Sequence, residues 1–366
     1  MSTLMNLRLC CAALLVLKAL SVAAQPSDFA SRCAASGVLK CVNFDTDADF
    51  NRGAGGTQGA WGARSGFIPL GGTSDYSRVT RDTGQAADGA SSLRFTIPSQ
   101  SGSDVAGAWF TNFSDDLSYQ VGEGQEVYVQ WRQRFSAELL TTRYAANGGG
   151  LANGWKLADI SAGDLPTCSL TNANSTVCPT TCWDFEVVLQ DSDQTNVPQM
   201  YSNCSGPFPY VPMDGYTSNV TVQNAIGCLY PSYADPPCVK FHANEWMTFQ
   251  IHVKVGTWNS WSSTIQLWVA RDGQPSQLVV DCGPIAVNPC NNFRDSAAKN
   301  GWYLYNEDPT YKIGKVWLVP YHTKKDGTQV TPTAYTWYDD LIVSKVKIAD
   351  PTPGVKPNAP TSLTTN

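Results

Sequence analysis

The sequence predicts an all-β fold in which two antiparallel sheets pack face to face as a sandwich. Segments with alternating apolar and polar residues recur along the chain, whereas no segment shows convincing helical periodicity. The chain also contains 30 Gly and 22 Pro, which fill the gaps between the alternating segments as turns require. Many strands and few helices bury their apolar faces most simply as two stacked sheets.

The predicted strands have one apolar and one polar face. In the segment 126–135, the apolar side chains on one face are Val127, Val129, Trp131 and Phe135, and those on the other face are Tyr128, Gln130, Arg132 and Arg134. Successive side chains of a strand point to opposite sides, so each set shares a surface. The same alternation predicts strands at 92–97, 184–190, 249–255, 264–270, 315–321 and 341–348.

Composition excludes several classes of function. Charged residues make up 15% of the chain, below the about 25% of typical soluble domains. The aromatic content of 11% excludes a disordered chain. The formal net charge is −6 and no dense basic run occurs, so we expect no nucleic-acid partner. A local cluster of Arg and Lys could still bind an anionic ligand.

The first 24 residues have the features of a secretory signal peptide. Arg8 precedes an apolar run at 9–20, and small residues follow at 22–24. The run is short and Lys18 interrupts it, which argues against a membrane span. We therefore expect a secreted or periplasmic protein with no membrane partner.

The remainder is predicted to form one domain, residues 25–349, followed by a Pro- and Thr-rich tail at 350–366. A long irregular stretch, residues 191–244, interrupts the strand pattern and is rich in cysteine. Loops of this length within compact domains are often functional. The length of the chain therefore fits one large β domain with a long insertion, which we expect to be a monomer.

Cysteine usage supports export. Of twelve cysteines, Cys10 and Cys11 lie in the leader and ten remain, an even number that predicts disulfides in an oxidising compartment. Short spacing favours the pairs Cys33–Cys41, Cys228–Cys238 and Cys282–Cys290. The other four cysteines leave three pairings open.

Candidate functional residues lie on the polar strand faces, because common hydrolase, nucleotide-binding and zinc-protease motifs are absent. Arg132 and Arg134 place two guanidiniums about 7 Å apart on one strand, which suits the binding of carboxylates. Lys156 beside Trp155 follows a Gly-rich loop and can add a third cation. A solvated outer face explains the arginines equally well.

Three other polar sets extend this selection. Asp184, Glu186 and Gln190 share a strand face, and the spacing of the first two is that of paired carboxylates. A second set is Gln250, His252 and Lys254, and a third is Tyr321 and His322, followed by Lys324 and Lys325, in an aromatic-rich region. Aromatic side chains can stack on sugars, although core packing is the alternative explanation.

Several segments resemble concanavalin-like jelly-roll proteins. Residues 42–45 resemble their first strand, and residues 245–255 and 265–273 resemble a Trp-led strand followed by one that ends in Asp-Gly. Residues 338–343 resemble their closing strand, so the resemblance spans residues 40–348. That fold hosts laminarinase-type glycosidases, polysaccharide lyases and non-catalytic lectins. The resemblance therefore implies a jelly roll that binds carbohydrate.

Within this group the sequence is most similar in character to lyases of the alginate, glucuronan and heparin types. The glycosidases carry Glu-x-Asp-x-Glu, whereas this chain has Val188 in the third carboxylate position. The Gln250-Ile251-His252 segment coincides with a motif of alginate lyases, and residues 312–315 with Tyr321 resemble their Lys/Tyr strand. Such lyases neutralise a uronate carboxylate, remove its C5 proton with Tyr or His, and protonate the departing O4.

The leading hypothesis is therefore a secreted lyase that cleaves a uronate-containing polysaccharide by β-elimination. Its predicted catalytic residues are Tyr321, His252 and Lys156, and its predicted substrate-binding residues are Arg132, Arg134, Tyr128, Gln130, Glu186, Gln190, Gln250, Lys254, His322 and Trp155. This hypothesis requires Arg132, Lys156, His252 and Tyr321 to meet in one groove. No cofactor is required, and the fold is compatible with a structural Ca²⁺.

Two alternatives remain open. One is a glucanase-type hydrolase that uses Asp184 and Glu186, and the other is a lectin or adhesin whose aromatic residues bind sugar without catalysis. All three functions share a polysaccharide partner, and the lyase hypothesis makes that polysaccharide anionic.

Overall fold

The computed structural model describes residues 27–50, 65–68, 79–100, 107–152, 154–164, 186–191, 194–202, 215–216, 239–284, 290–292, 295–299, 301–306, 308, 310–322 and 325–352. The predicted signal peptide, most of the tail, Asp184 and Lys324 lie outside these ranges. No helix in the described ranges is long and apolar enough to cross a membrane.

Short helices and many strands make up the described part of the chain. In chain order they are α1 (Asp28–Cys33), β1 (Val38–Val42), α2 (Asp47–Phe50), β2 (Ser65–Ile68), β3 (Val79–Asp82), β4 (Ser92–Ile97), β5 (Ala108–Asn112), β6 (Glu126–Phe135), α3 (Ala137–Thr141), β7 (Trp155–Ala162), β8 (Glu186–Asp191), β9 (Pro198–Ser202), β10 (Gly215–Tyr216), β11 (Trp246–Lys254), β12 (Trp261–Arg271), β13 (Gln277–Cys282), β14 (Cys290–Asn292), β15 (Asp295–Lys299), β16 (Trp302–Tyr303), β17 (Ile313–His322) and β18 (Ala334–Ser344).

Two antiparallel sheets dominate the architecture. The back sheet has the order β13-β12-β11-β6-β18-β4-β3, with β1 paired to β18 and β16 paired to β12. The front sheet has the order β2-β5-β17-β7-β8-β9, and β10, β14 and β15 form a separate small sheet. Successive strands cross between the two large sheets, as β4 to β7 and β17 to β18 do. This connectivity confirms the predicted jelly-roll sandwich.

One apolar core lies between the two sheets. Trp109 of the front sheet and Trp131 and Phe249 of the back sheet are fully buried in it. The Tyr338 hydroxyl of β18 donates a hydrogen bond of 2.7 Å to the Leu157 carbonyl of β7. The core therefore fixes the outer faces of the sheets on opposite sides of the molecule.

Most predicted strands are present, and the structure departs from the prediction at β18 and at β9. Strands β4 and β6 have the predicted bounds. Strand β18 ends at Ser344 rather than 348, and its pairing to β6 shifts between Asp339 and Ile342, where Asp340 has a positive φ of 51°. The prediction of an irregular stretch throughout 191–244 is wrong at β9, which pairs with β8.

The predicted disulfide Cys33–Cys41 is confirmed. Cys282 is also disulfide-bonded, and its partner is not among the described side chains. Six other cysteines lie outside the described residues: Cys168, Cys178, Cys182, Cys204, Cys228 and Cys238.

Candidate active site

The residues predicted to form one site lie on opposite outer faces of the sandwich. Lys156, Glu186, Gln190 and Tyr321 belong to the front sheet. Seven others belong to the back sheet: Tyr128, Gln130, Arg132, Arg134, Gln250, His252 and Lys254. The expectation that Arg132, Lys156, His252 and Tyr321 meet in one groove is therefore wrong. Alternation along a strand reveals which residues share a face, but it does not reveal which sheet the strand joins.

On the back sheet, His252 lies within a network of the protein's own groups. Its Nδ1 lies 2.8 Å from Gln266 Oε1, its Nε2 lies 2.8 Å from Glu126 Oε2, and its ring stacks on Tyr128 at a centroid distance of 4.1 Å. The side chain is 2% exposed. These contacts give His252 a structural role in the strand face, far from Lys156.

The other polar residues of β6 and β11 are also engaged within the protein. Gln130 accepts a hydrogen bond of 2.6 Å from Arg32, and Arg132 forms a 2.6 Å ion pair with Asp272. Gln250 exchanges hydrogen bonds of 2.8 and 3.2 Å with the backbone of Ile348. Lys254 is exposed at the end of β11. The segment before β1 and the segment after β18 therefore cover part of this face.

Trp155 and His322 face the core rather than an outer surface. They are 3% and 0% exposed, and their ring centroids lie 4.5 Å apart. Tyr144 packs edge-on against both rings at 5.1 and 5.0 Å. Their predicted role in substrate binding is therefore wrong, because the packing leaves neither ring accessible.

The front sheet brings a lysine and two tyrosines together. Lys156 of β7 lies between Tyr201 of β9 and Tyr321 of β17, with Nζ 5.3 and 5.5 Å from the two ring centroids. Both tyrosines are half-buried. The strands β17, β7, β8 and β9 are consecutive neighbours, and the register sets Tyr321 opposite Lys156. This arrangement, together with the carboxyl groups of Asp159 and Glu186, is called the lysine site below.

Two buried carboxyl groups lie beside the ammonium. Lys156 Nζ is 3.2 Å from Glu186 Oε1, and Glu186 is hydrogen-bonded to Asp159. Asp159 and Glu186 are each 1% exposed. Burial and the neighbouring Glu186 charge raise the pKa of Asp159 well above its ordinary value, which favours the protonated acid as the hydrogen-bond donor to Glu186. The pair thus carries one negative charge toward Lys156.

The same charges define the states of Lys156 and Tyr201. Burial is the largest single effect on the pKa of Lys156 and acts to lower it. The Glu186 carboxylate, together with Tyr201 and Asp159, outweighs burial and raises that pKa, so the ammonium persists. Burial and the Glu186 charge raise the pKa of the Tyr201 phenol, which therefore keeps its proton. Tyr201 also bonds to Lys156 through its side chain. The site presents an ammonium and a protonated phenol on a partly accessible surface.

A second lysine lies on the same face, two strand positions beyond Trp317. Lys315 Nζ forms a 2.6 Å ion pair with Asp164 Oδ1, and Asn112 donates a 2.7 Å hydrogen bond to the other carboxylate oxygen. Lys315 and Asp164 are each 1% exposed or less. This pair is buried and internally satisfied, so its role is in the structure of the front sheet.

Sequence reasoning missed two members of the lysine site. Tyr201 lies in the stretch expected to be irregular, yet Gln199 and Tyr201 alternate there with Met200 and Ser202, a weak strand signal. Asp159 lies on β7, a strand that the sequence analysis did not identify. Among the described residues, no three His, Cys, Asp or Glu side chains are grouped to hold a metal ion.

Known structures with a similar fold include carbohydrate-degrading enzymes. An alginate lyase from Aplysia kurodai has a TM-score of 0.44 and 11% identity over 73% of this chain and 87% of that one. An endo-β-1,4-glucuronan lyase from Trichoderma reesei has a TM-score of 0.40 and 14% identity over 75% of this chain and 90% of that one. The catalytic domain of a glycoside hydrolase family 131 protein from Coprinopsis cinerea has a TM-score of 0.31 and 11% identity over 76% of this chain and 81% of that one. No protein-family model and no curated protein matches the chain.

Proposed function

We propose that the protein is a secreted polysaccharide lyase that cleaves a uronate-containing polymer by β-elimination. The proposal rests on the lysine site alone, because the four-residue groove expected from the sequence does not form and Arg132 and His252 lie on the other sheet. The observation that carries this proposal is the Lys156 ammonium held between the phenols of Tyr201 and Tyr321 on a partly accessible face. These three groups match the three tasks of the reaction, which are neutralising a carboxylate, removing a proton and supplying one. The chemistry needs no cofactor.

Lys156 is suited to neutralise the substrate carboxylate. An ammonium has three donors, and in the described part of the chain the hydrogen bonds of Lys156 are to Glu186 and Tyr201. The remaining donor can bind a uronate carboxylate. Neutralising that carboxylate makes the C5 proton of the sugar more acidic.

The two phenols are suited to opposite proton transfers. Tyr321, beside the ammonium that favours its charged form, takes the C5 proton. The electrons of the C5–H bond form the C4–C5 double bond as the bond from C4 to O4 breaks. Tyr201, whose pKa is raised by burial and by Glu186, donates its proton to O4. The products are an unsaturated uronate and a new reducing end.

The carboxyl groups argue against hydrolysis at this site. A retaining glycosidase needs its two carboxyl groups about 5–5.5 Å apart and an inverting one needs a wider gap. Asp159 and Glu186 are instead hydrogen-bonded to each other and buried. That arrangement leaves no room for a sugar or a water between them, which argues against a hydrolase that uses Asp159 and Glu186 as its pair. The alternative pair, Asp184 with Glu186, includes a residue outside the described part of the chain.

Incubation with alginate, polyglucuronate, heparin-type glycans and β-glucans tests the proposal. A lyase produces the ultraviolet absorbance of an unsaturated uronate together with new reducing ends. Reducing ends without that absorbance would identify a hydrolase, and retardation in a glycan-containing gel without either signal would identify a lectin. Tyr321→Phe should remove the absorbance, whereas Tyr128→Phe, a matched change on the back sheet, should preserve it.

A further inference from the structure

A row of alternating guanidiniums and indoles crosses the outer face of the back sheet. The register sets Trp337 of β18 opposite both Arg94 of β4 and Arg134 of β6, and it sets Arg134 opposite Trp246 of β11. Residues directly opposite one another on neighbouring strands share a face and contact each other. The order across four adjacent strands is therefore Arg, Trp, Arg, Trp.

These side chains form a continuous surface with Tyr335. The Arg134 guanidinium carbon lies 6.0 Å from the Trp337 ring centroid, and that of Arg94 lies 5.5 Å from the Tyr335 ring. The Tyr335 and Trp337 rings are 5.7 Å apart. Arg94, Arg134 and Tyr335 are partly exposed, whereas the tryptophans lie mostly beneath them. We call these five residues the arginine row.

The charge of the arginine row is not balanced within it. Arg94 pairs with Asp82 at 3.1 Å, and the same carboxylate accepts a 2.8 Å hydrogen bond from the Trp337 indole. Arg134 donates to the Asn244 carbonyl and contacts no carboxylate in the described part of the chain, where its buried Nε also lacks an acceptor. Two guanidiniums thus face one carboxylate in a protein whose net charge is −6.

We propose that the arginine row is a second, non-catalytic binding surface for an anionic polysaccharide. Guanidiniums bind carboxylates and sulfates in a bidentate manner, and Arg134 also packs on the Trp337 indole. The Tyr335 ring offers an apolar face on which a sugar can stack. Arg94 and Arg134 lie on strands separated by β18, so they can contact two charges spaced along one extended chain.

The arginine row and the lysine site face away from each other, since they occupy the outer faces of opposite sheets. Two neighbouring polymers, or one long polymer that passes around the molecule, can engage both surfaces. A second contact raises the affinity for long polymers without changing the reaction at the lysine site. The proposal does not depend on the reaction at the lysine site, because it concerns binding alone.

Binding to immobilised alginate and polygalacturonate tests the proposal in a Tyr321→Phe background, which suppresses cleavage. Arg94→Gln with Arg134→Gln should weaken polymer binding about tenfold or more, because two charged contacts to the polymer are lost. The matched control, Lys345→Gln with Lys347→Gln, removes two exposed cations just beyond the end of β18 and should bind as the parent does. Arg134→Lys should show an intermediate loss.

Thermal melts and circular dichroism establish that each variant is folded before its binding is compared. Equal losses of polymer binding in the arginine-row variant and the control would overturn the proposal, because the loss would then follow from the change in net charge alone. Undiminished binding by the arginine-row variant, or no binding of either polymer by the parent, would also overturn it. None of these outcomes bears on cleavage, which is measured separately as unsaturated product formed by the wild-type protein.

Discussion

The Nζ atom of Lys156 lies 3.2 Å from Oε1 of Glu186, and Glu186 shares a hydrogen bond with the buried Asp159. The Lys156 ammonium and the two carboxyl groups are therefore held together across β7 and β8. This relationship keeps Lys156 charged in a mostly buried position. It also orients the ammonium between the two tyrosines, where the proposed reaction needs it.

Lys156→Met should abolish cleavage and destabilise the protein. Breaking a buried pair by removing one partner costs about 3–5 kcal/mol, because the other charge stays buried and uncompensated. Denaturant unfolding measures this loss. The double variant Lys156→Met with Glu186→Gln should recover much of the stability but no activity. Recovery of activity in the double variant would show that Lys156 acts only in folding.

Tyr201→Phe and Tyr321→Phe should each lower kcat by about 10²–10⁴-fold, the usual worth of a positioned acid or base. Both tyrosines are half-buried, so the fold should tolerate the loss of a hydroxyl group. Steady-state kinetics on the preferred polymer measure the effect, with Tyr128→Phe as the control. Unchanged kcat in both variants would remove the phenols from the mechanism.

His252→Gln should keep the kcat of the wild-type protein. The ring belongs to the back sheet and bonds to Gln266 and Glu126, so the expected cost is stability, about 1–2 kcal/mol for the altered hydrogen bonds. Parallel kinetics and unfolding measurements separate the two effects. A large fall in kcat with unchanged stability would restore the catalytic role that the sequence suggested.

Asp159 should make the stability of the protein depend on pH. Burial and Glu186 raise its pKa above the ordinary value of 3.8, so the folded state retains a proton that the unfolded chain releases. This contribution is fully present below the ordinary pKa and is lost as the pH rises through the raised pKa, by at most about 1.4 kcal/mol per pH unit.

In the Asp159→Asn variant, the amide group can donate a hydrogen bond to Glu186 at any pH. The stability of this variant should therefore lack the pH-dependent contribution of Asp159. Denaturant unfolding of both proteins between acidic and neutral pH measures the difference. The wild-type protein should lose stability relative to Asp159→Asn as the pH increases. A constant difference across this window would mean that Asp159 is ionised in the folded state.

Alternation predicted the faces of β6 and β11 correctly, since Val127, Val129 and Phe249 are in the core while Arg132 and His252 are on the outer side. It could not predict that these strands join the back sheet whereas β7, β8 and β17 join the front sheet. Which sheet a strand joins depends on the packing of the whole chain. The alternation of apolar and polar residues along the strand does not indicate it.

The candidate site was predicted in part. Lys156, Glu186, Gln190 and Tyr321 were selected from the sequence and do share the front sheet. Tyr201 was missed because it lies in a Pro- and Cys-rich stretch, on a short strand, β9, that is held by pairing with β8 rather than by its own pattern.

Digestion of the preferred polyuronate in water enriched in heavy oxygen, followed by mass spectrometry, tests the central claim most directly. β-Elimination breaks the bond from C4 to O4 without adding water, so the account predicts unsaturated products that carry no solvent oxygen from the cleavage step. Saturated products that contain one heavy oxygen at each new reducing end would show hydrolysis. That result would contradict the assignment of Lys156, Tyr201 and Tyr321 as the machinery of a lyase.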